Sequence, residues 1–281
     1  MVTPLQLDEV LRQIHKLPSL PAVVMELLAS MGQDDINTEA LAQKIAQDQA
    51  LTAKTLRLAN SSFYGMENQV TTMQAAIAIL GFRTVRSLVT TAALIGTFAN
   101  DGQTRVNLTP FWRHAIAVAV CARELAFGLK LDDDCAYIGG LLHDIGRLVL
   151  VTQFPSDYEA AMDYRKVHDC LVLEAETSVL GVDHARVGHA LVQRWKFPQA
   201  IQDVVADHHA PSEVQARPLS LVIRAADAIA HALDLSQDEH AAVPTVPTSL
   251  WKQLGLSDEE LLRVFARTVQ QFEGASLILN L

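Results

Sequence analysis

The stretch Gly139-Gly140-Leu141-Leu142-His143-Asp144-Ile145-Gly146-Arg147 limits this chain more than any other. It sets an imidazole next to a carboxylate inside an apolar run. Burying such groups without partners is costly, so the surrounding fold must bring partners from elsewhere. A divalent cation would satisfy both at once. The two leading glycines each cost a helix about 1 kcal/mol relative to Ala. They stand one turn before His143 and Asp144, where they clear side chains from a surface that another helix can approach.

The rest of the chain reads as helices. Amphipathic or capped segments are expected at Leu5–Ile14, Pro21–Met31, from Asn37 or Thr38 onward with Leu41 and Ile45 inside, and at Ala50–Ala59. Thr71 and Gln74 fit a capping box for a helix ending at Gly81, and Thr84–Phe98 follows. No period-2 alternation interrupts this series, so residues 1–100 are expected to form an N-terminal helical lobe. Asn100-Asp101-Gly102-Gln103 is polar and turn-rich and marks the expected boundary with a second domain, 101–281.

In that second part Thr109-Pro110 supplies a cap and a first-turn proline. Asp132–Asp134 lead into a single His-Asp helix. Further helices are expected from Ser156 to about Leu171, near Glu174, at His184–Trp195 under an Asp183 cap, from Pro198 to His208-His209, and at Pro218–Leu233. Ser236–Thr248 reads as a loop. Ser257 and Glu260 form a second capping box before Leu261–Phe272, and the apolar ending Ala275–Leu281 is expected to dock. The fold class is therefore all-α.

Composition removes several alternatives. Half of the 281 residues are hydrophobic, enough for a large core, and the formal net charge is −10. A nonspecific nucleic-acid binder would carry a basic footprint instead. Arg83 and Arg86 after the Gly81 turn point only weakly to a helix-turn-helix reader, since two such arginines usually form a solvated face. The three cysteines, Cys121, Cys135 and Cys170, contain no C-x-x-C pair, which suits a reducing cytoplasm. No signal-peptide core opens the chain, and Ala115–Ala122 is too short to span a bilayer. A cytoplasmic protein with no membrane partner is expected.

Several polar residues fall on inward faces. His114 shares a face with Phe111, Val118 and Cys121. His208 shares one with Ile201, Val204 and Val205. Asp227 lies between Ile223 and Ala230, and His184 has Gly188 one turn later. Each alone is read more readily as a core residue. Asp227 could pair with Arg224 and His231, and His208-His209 could cap a helix C-terminus. Jointly they need a shared partner, and inward His and Asp on several helices are how bundles build metal sites. His15, His168 and His240 are expected at the surface, and His189 off the shared face.

The pattern resembles the HD superfamily of metal-dependent phosphohydrolases, and most closely its HDOD branch, the HD-related output domain of bacterial signalling. The resemblance rests on Leu17-Pro18-Ser19-Leu20-Pro21, the run from Asp48 to Ser61, Ala76–Gly81, His143-Asp144-Ile145-Gly146, His184 with Val187-Gly188, Trp195–Pro198 and His208-His209. It implies an HD-type helical bundle beneath an N-terminal helical lobe. It also implies a mononuclear metal set of His114, His143, Asp144 and Asp227. The related HD-GYP phosphodiesterases imply a second position at His184, His208 and His209, bridged by Asp144. Arg147 stands where those enzymes have Lys, Ala210-Pro211-Ser212 replaces their Gly-Tyr-Pro segment, and Pro110 lies where a third-metal Glu would be. A cyclic dinucleotide substrate is therefore not implied.

Imidazole and carboxylate donors suit one or two ions of Fe, Mn, Zn, Co or Ni, and two ions together can activate water for attack on phosphorus. Asp144 and Arg147 are the expected catalytic residues. Arg147 is either a bidentate phosphate clamp or a salt-bridge partner of a ligand carboxylate. Two functions stay open. One is a signalling protein with phosphohydrolase chemistry, taking a phosphoester or nucleotide. The other is a non-catalytic module that binds a signalling partner or senses a ligand.

Overall fold

The computed structural model describes residues 5, 7–31, 37–60, 69–99, 106–210, 217–238, 243–244 and 246–280. Among them every regular element is helical, in agreement with the all-α expectation. The first six helices are α1 (Leu7–Lys16), α2 (Ala22–Ala29), α3 (Thr38–Gln47), α4 (Gln49–Ala59), α5 (Met73–Leu80) and α6 (Phe82–Ala99). Asn37 rather than Thr38 caps α3, its Oδ1 accepting from the Ala40 N–H at 2.9 Å. Thr72, not Thr71, caps α5 by accepting from Ala75 at 3.1 Å, so the expected Thr71–Gln74 box is one residue out of register. Thr72 is the residue that leaves the helix in an extended conformation, which is what capping requires. The Asn60 side chain accepts from the Val70 N–H and donates to its carbonyl, tying the end of α4 to the approach to α5.

The expected boundary at 100–103 lies outside the described residues. Beyond it, α7 (Thr109–Gly128) runs through the centre and packs against α8 (Asp133–Leu142), α14 (Pro218–Ala232) and α16 (Asp258–Ala275). Thr109 is the first helical residue rather than the cap, and Asn107 accepts its N–H at 3.0 Å. Around this centre lie α9 (Ile145–Gln153), α10 (Pro155–His168), α11 (Val172–Leu180), α12 (His184–Arg194), α13 (Gln199–Asp207) and α15 (Thr248–Leu254). The seven residues of α15 were read as no element, being too few to show a helical period. The Ser257–Glu260 box is present at the start of α16. The chain's apolar ending forms a 3-10 turn, Ser276–Asn280, that docks with Ile278 buried.

The expected single His-Asp helix is two helices. α8 ends at Leu142, and His143-Asp144 form a turn before α9 starts. Close approach explains the glycines on either side. A Cβ on Gly140 would lie 2.7 Å from the Ala119 Cα of α7. One on Gly146 would lie 2.0 Å from the His184 carbonyl oxygen and 2.6 Å from the Gly188 N of α12. The turn is thus clamped between two helices at backbone contact distance.

Helices α6 and α1 pack on α8 and α12, joining the first six helices to the rest. Arg86 is neither a groove reader nor part of a solvated face. It is buried, ion-paired to Asp134, and donates to Ser30 Oγ at 3.2 Å. Arg83 is exposed and pairs with Asp133 at 2.9 Å. Among the described residues one stretch, Asp133–Gln153, is long and apolar enough to cross a membrane, and 83% of its most apolar window is buried inside the fold.

Candidate metal centre

Five parts of the fold aim polar side chains at one place. His114 comes from the first turns of α7, and His143 and Asp144 from the α8–α9 turn. His184 is the first residue of α12, His208 and His209 directly follow α13, and Asp227 lies inside α14. All seven residues expected from the sequence therefore meet. His114, His143, Asp144, His184 and His208 are buried.

The donors fall around two carboxylate oxygens. His184 Nε2, His208 Nε2 and His143 Nε2 lie 3.2, 3.5 and 3.8 Å from Asp144 Oδ1. His209 Nε2 is 2.9 Å from His184 Nε2, which in turn is 3.3 Å from His208 Nε2. Around Asp227 Oδ1 stand His114 Nε2 at 3.1 Å and His143 Nε2 at 3.9 Å. Two ligands bonded to one ion at about 2.1 Å, at tetrahedral to right angles, are about 3.0–3.4 Å apart. Several of these spacings match that edge.

Neighbouring groups orient the rings. His143 Nδ1 is 2.7 Å from the Gly140 carbonyl, and His208 Nδ1 is 2.9 Å from that of Val205. His184 Nδ1 lies 2.6 Å from Glu176 Oε2, an oxygen that also accepts the His184 backbone N–H at 2.8 Å. Each bond suits a proton on Nδ1 and turns Nε2 toward the centre; on the neutral rings that leaves the Nε2 lone pair free, while His184 would give up its Nε2 proton on binding a cation. Metal-binding histidines are held in this way. His114 adds a direct indication. Neither of its buried ring nitrogens has an aligned hydrogen-bond partner, although Nε2 is 3.1 Å from Asp227. One nitrogen of a neutral imidazole carries a lone pair, and a cation beside Nε2 would occupy it, so the donor set fits a cation.

Electrostatics agree. Burial lowers His143 to about 4 and His209 to about 2, keeping both rings neutral and able to ligate. Burial opposes the charge on Asp144, but His143 and Arg147 beside it hold the carboxyl well below its usual range. Burial likewise opposes Asp227, and the His114 and His231 rings overcome it. His184 differs. Burial works against its charge, but Glu176 and Asp144 raise it to about 10.

Arg147 forms the salt bridge that was one of its two expected roles. Its Nη1 donates to Asp144 Oδ2 at 2.9 Å and its Nε to the Tyr158 hydroxyl at 3.3 Å. The guanidinium also lines a cavity of about 720 Å³ beside the cluster, together with His114, Tyr158, Arg165, Lys166 and His231. His15 and His168 are exposed as expected, His189 stands apart from the cluster, and His240 lies outside the described residues.

Three contributors escaped the sequence reading. His231 figured there only as a pairing partner of Asp227, and the i,i+4 spacing that suggested the pairing was the available signal. Glu176 is fully buried, yet nothing in its local sequence tied it to His184. Tyr158 carried no signal at all.

Residues 17–211 match the family model described as the HDOD domain. An HDOD domain protein of unknown function from Geobacter sulfurreducens has a similar fold. It is 24% identical, with a TM-score of 0.74 over 94% of this chain and 98% of that one. A Shewanella amazonensis protein provisionally named a phosphohydrolase is 28% identical, with a TM-score of 0.74 over 96% and 97% of the two chains. An uncharacterized protein of Treponema pallidum is 26% identical over 267 residues, 92% of this chain. The present chain spans 50% of that relative's length. With more than half of its residues inside the family match, the chain belongs to the HDOD domain family.

Proposed function

We propose that this protein is a metal-dependent phosphohydrolase of bacterial signalling, acting on a phosphoester or nucleotide in the cytoplasm. The observation that carries this reading is the convergence of imidazoles on the buried Asp144 and the half-buried Asp227, beside a cavity that Arg147, Arg165 and Lys166 help to line. The provisional name of the Shewanella relative supports it. Residues 1–100 then act as a helical cap on the HD-type domain 101–281.

His114, His143, Asp144 and Asp227 would hold one divalent cation, and Asp144, His184, His208 and His209 a second. A pair of such ions supplies Lewis acidity for water activation and for charge developing on phosphorus. The chain's own residues set the rest. Arg147 holds the second oxygen of Asp144, so that Oδ1 stays turned toward the imidazoles. Its cavity-lining edge, with Arg165 and Lys166, would offer cations to an anionic substrate in a cavity that Asp169, Glu174 and Asp238 also line. Phe111, Leu148 and Met162 line the same cavity and limit its water.

The test is metal analysis of the purified protein, with a phosphodiesterase and phosphomonoesterase screen of wild type beside Asp144→Asn. Bound metal and turnover that the variant abolishes are expected. Stoichiometric metal without turnover on any phosphoester would leave the non-catalytic, partner-binding module as the function.

A further inference from the structure

We infer that His231 is a metal ligand, a third imidazole at the cation position that His114, His143, Asp144 and Asp227 would form. This rests on the metal-dependent reading above and extends it to a residue outside the implied HD and HD-GYP sets. His231 lies one turn after Asp227 on α14, and its Nε2 is 3.3 Å from Asp227 Oδ1. On the other side of that oxygen stands His114 Nε2 at 3.1 Å. The two rings face each other with centroids 4.4 Å apart, 34° from parallel. His114, Asp227 and His231 each offer a ligand atom within 4.8 Å of the other two.

The ordinary explanation is an i,i+4 ion pair on a helix. Two observations go beyond it. The nitrogen–oxygen separations of both rings suit an ion pair and equally match the ligand edge of about 3.0–3.4 Å expected around one ion. The buried ring nitrogens of His114, and His231 Nδ1, have no aligned hydrogen bond. His231 also lines the cavity that adjoins the centre, rather than solvent at large.

The arrangement echoes the neighbouring position. There Asp144 is grouped with His184, His208 and His209; here Asp227 lies between His114 and His231, with His143 farther off. His143 stands between them, 3.8 Å from one carboxylate oxygen and 3.9 Å from the other. A nitrogen-rich first position favours zinc, iron, cobalt or nickel over magnesium, which prefers oxygen ligands.

Cobalt(II) titration of the metal-stripped full chain tests this, followed by visible absorption and calorimetry. Wild type is expected to take two equivalents. His231→Ala should weaken one of them at least tenfold and leave the other unchanged, whereas His184→Ala should weaken the opposite one. His231→Gln, which keeps the side chain's bulk, should weaken the same equivalent as His231→Ala, and His189→Ala should weaken neither. Two unaltered equivalents in both His231 variants would overturn the inference and leave the proposed function standing. Loss of both equivalents from a variant whose circular dichroism stays native would overturn it too. No cobalt in wild type would defeat the metal-dependent reading itself.

Discussion

Replacing Gly146 by Ala should damage both stability and the metal centre. The added Cβ would stand 2.0 Å from the His184 carbonyl oxygen and 2.6 Å from the Gly188 N, and both are backbone atoms that cannot rotate away. Real Cβ atoms essentially never approach closer than 3.0 Å, so α9 and α12 must part by about 1 Å in a close-packed interior. Overpacking costs about 1–3 kcal/mol, and a rigid clash puts this site at the top of that range. At about 2–4 °C per kcal/mol for large domains, Tm falls by about 6–12 °C. The same displacement carries His184 away from Asp144, now 3.2 Å apart, and a site tolerates only about 0.5 Å of such error. Differential scanning fluorimetry and the cobalt titration read the two effects. Gly96→Ala is the control. Gly96 lies inside α6 with nothing within 4 Å of a new Cβ, so that change should stabilise by about 0.5–1 kcal/mol. A Gly146→Ala protein that melts within about 1 °C of wild type and binds both equivalents normally would refute the clamp.

Glu176→Gln removes the buried charge that faces His184 Nδ1 at 2.6 Å and should weaken the adjoining cobalt equivalent about 10–100-fold; equal affinities by calorimetry would refute that orienting role. The metal-stripped protein should be most heat-stable near pH 6.5. His184, raised to about 10, contributes fully below 6.5 and loses its contribution as pH rises through 10. His143 and His209, lowered to about 4 and about 2, lose theirs as pH falls below 6.5, and Asp144 and Asp227 theirs in stronger acid. A Tm that climbs steadily from pH 6.5 to 10 would contradict the His184 assignment.

Much of this protein can be read without coordinates, because the relevant forces act within a few residues. Asp183 and the Ser257–Glu260 box mark helix starts through their own side chains. The glycines around His143-Asp144 announce close backbone approach. The seven centre residues stood out as polar groups on apolar faces, a conflict that only a shared partner resolves. Local pattern misled at Thr71, Thr109 and Arg86. A cap is decided by which residue leaves the helix, and Arg86 by an aspartate 48 positions away.

Tertiary structure decided everything that depends on approach between distant segments. It brought Arg147 onto Asp144, set Glu176 behind His184, and gave the cavity its walls from α7, α9, α10 and α14. It turned His231 from a helix-face neighbour into a member of the cluster, because only packing of α14 against α7 sets that ring opposite His114. Periodicity tells a side chain which way to face; what it meets there depends on loop closure and packing across the whole chain.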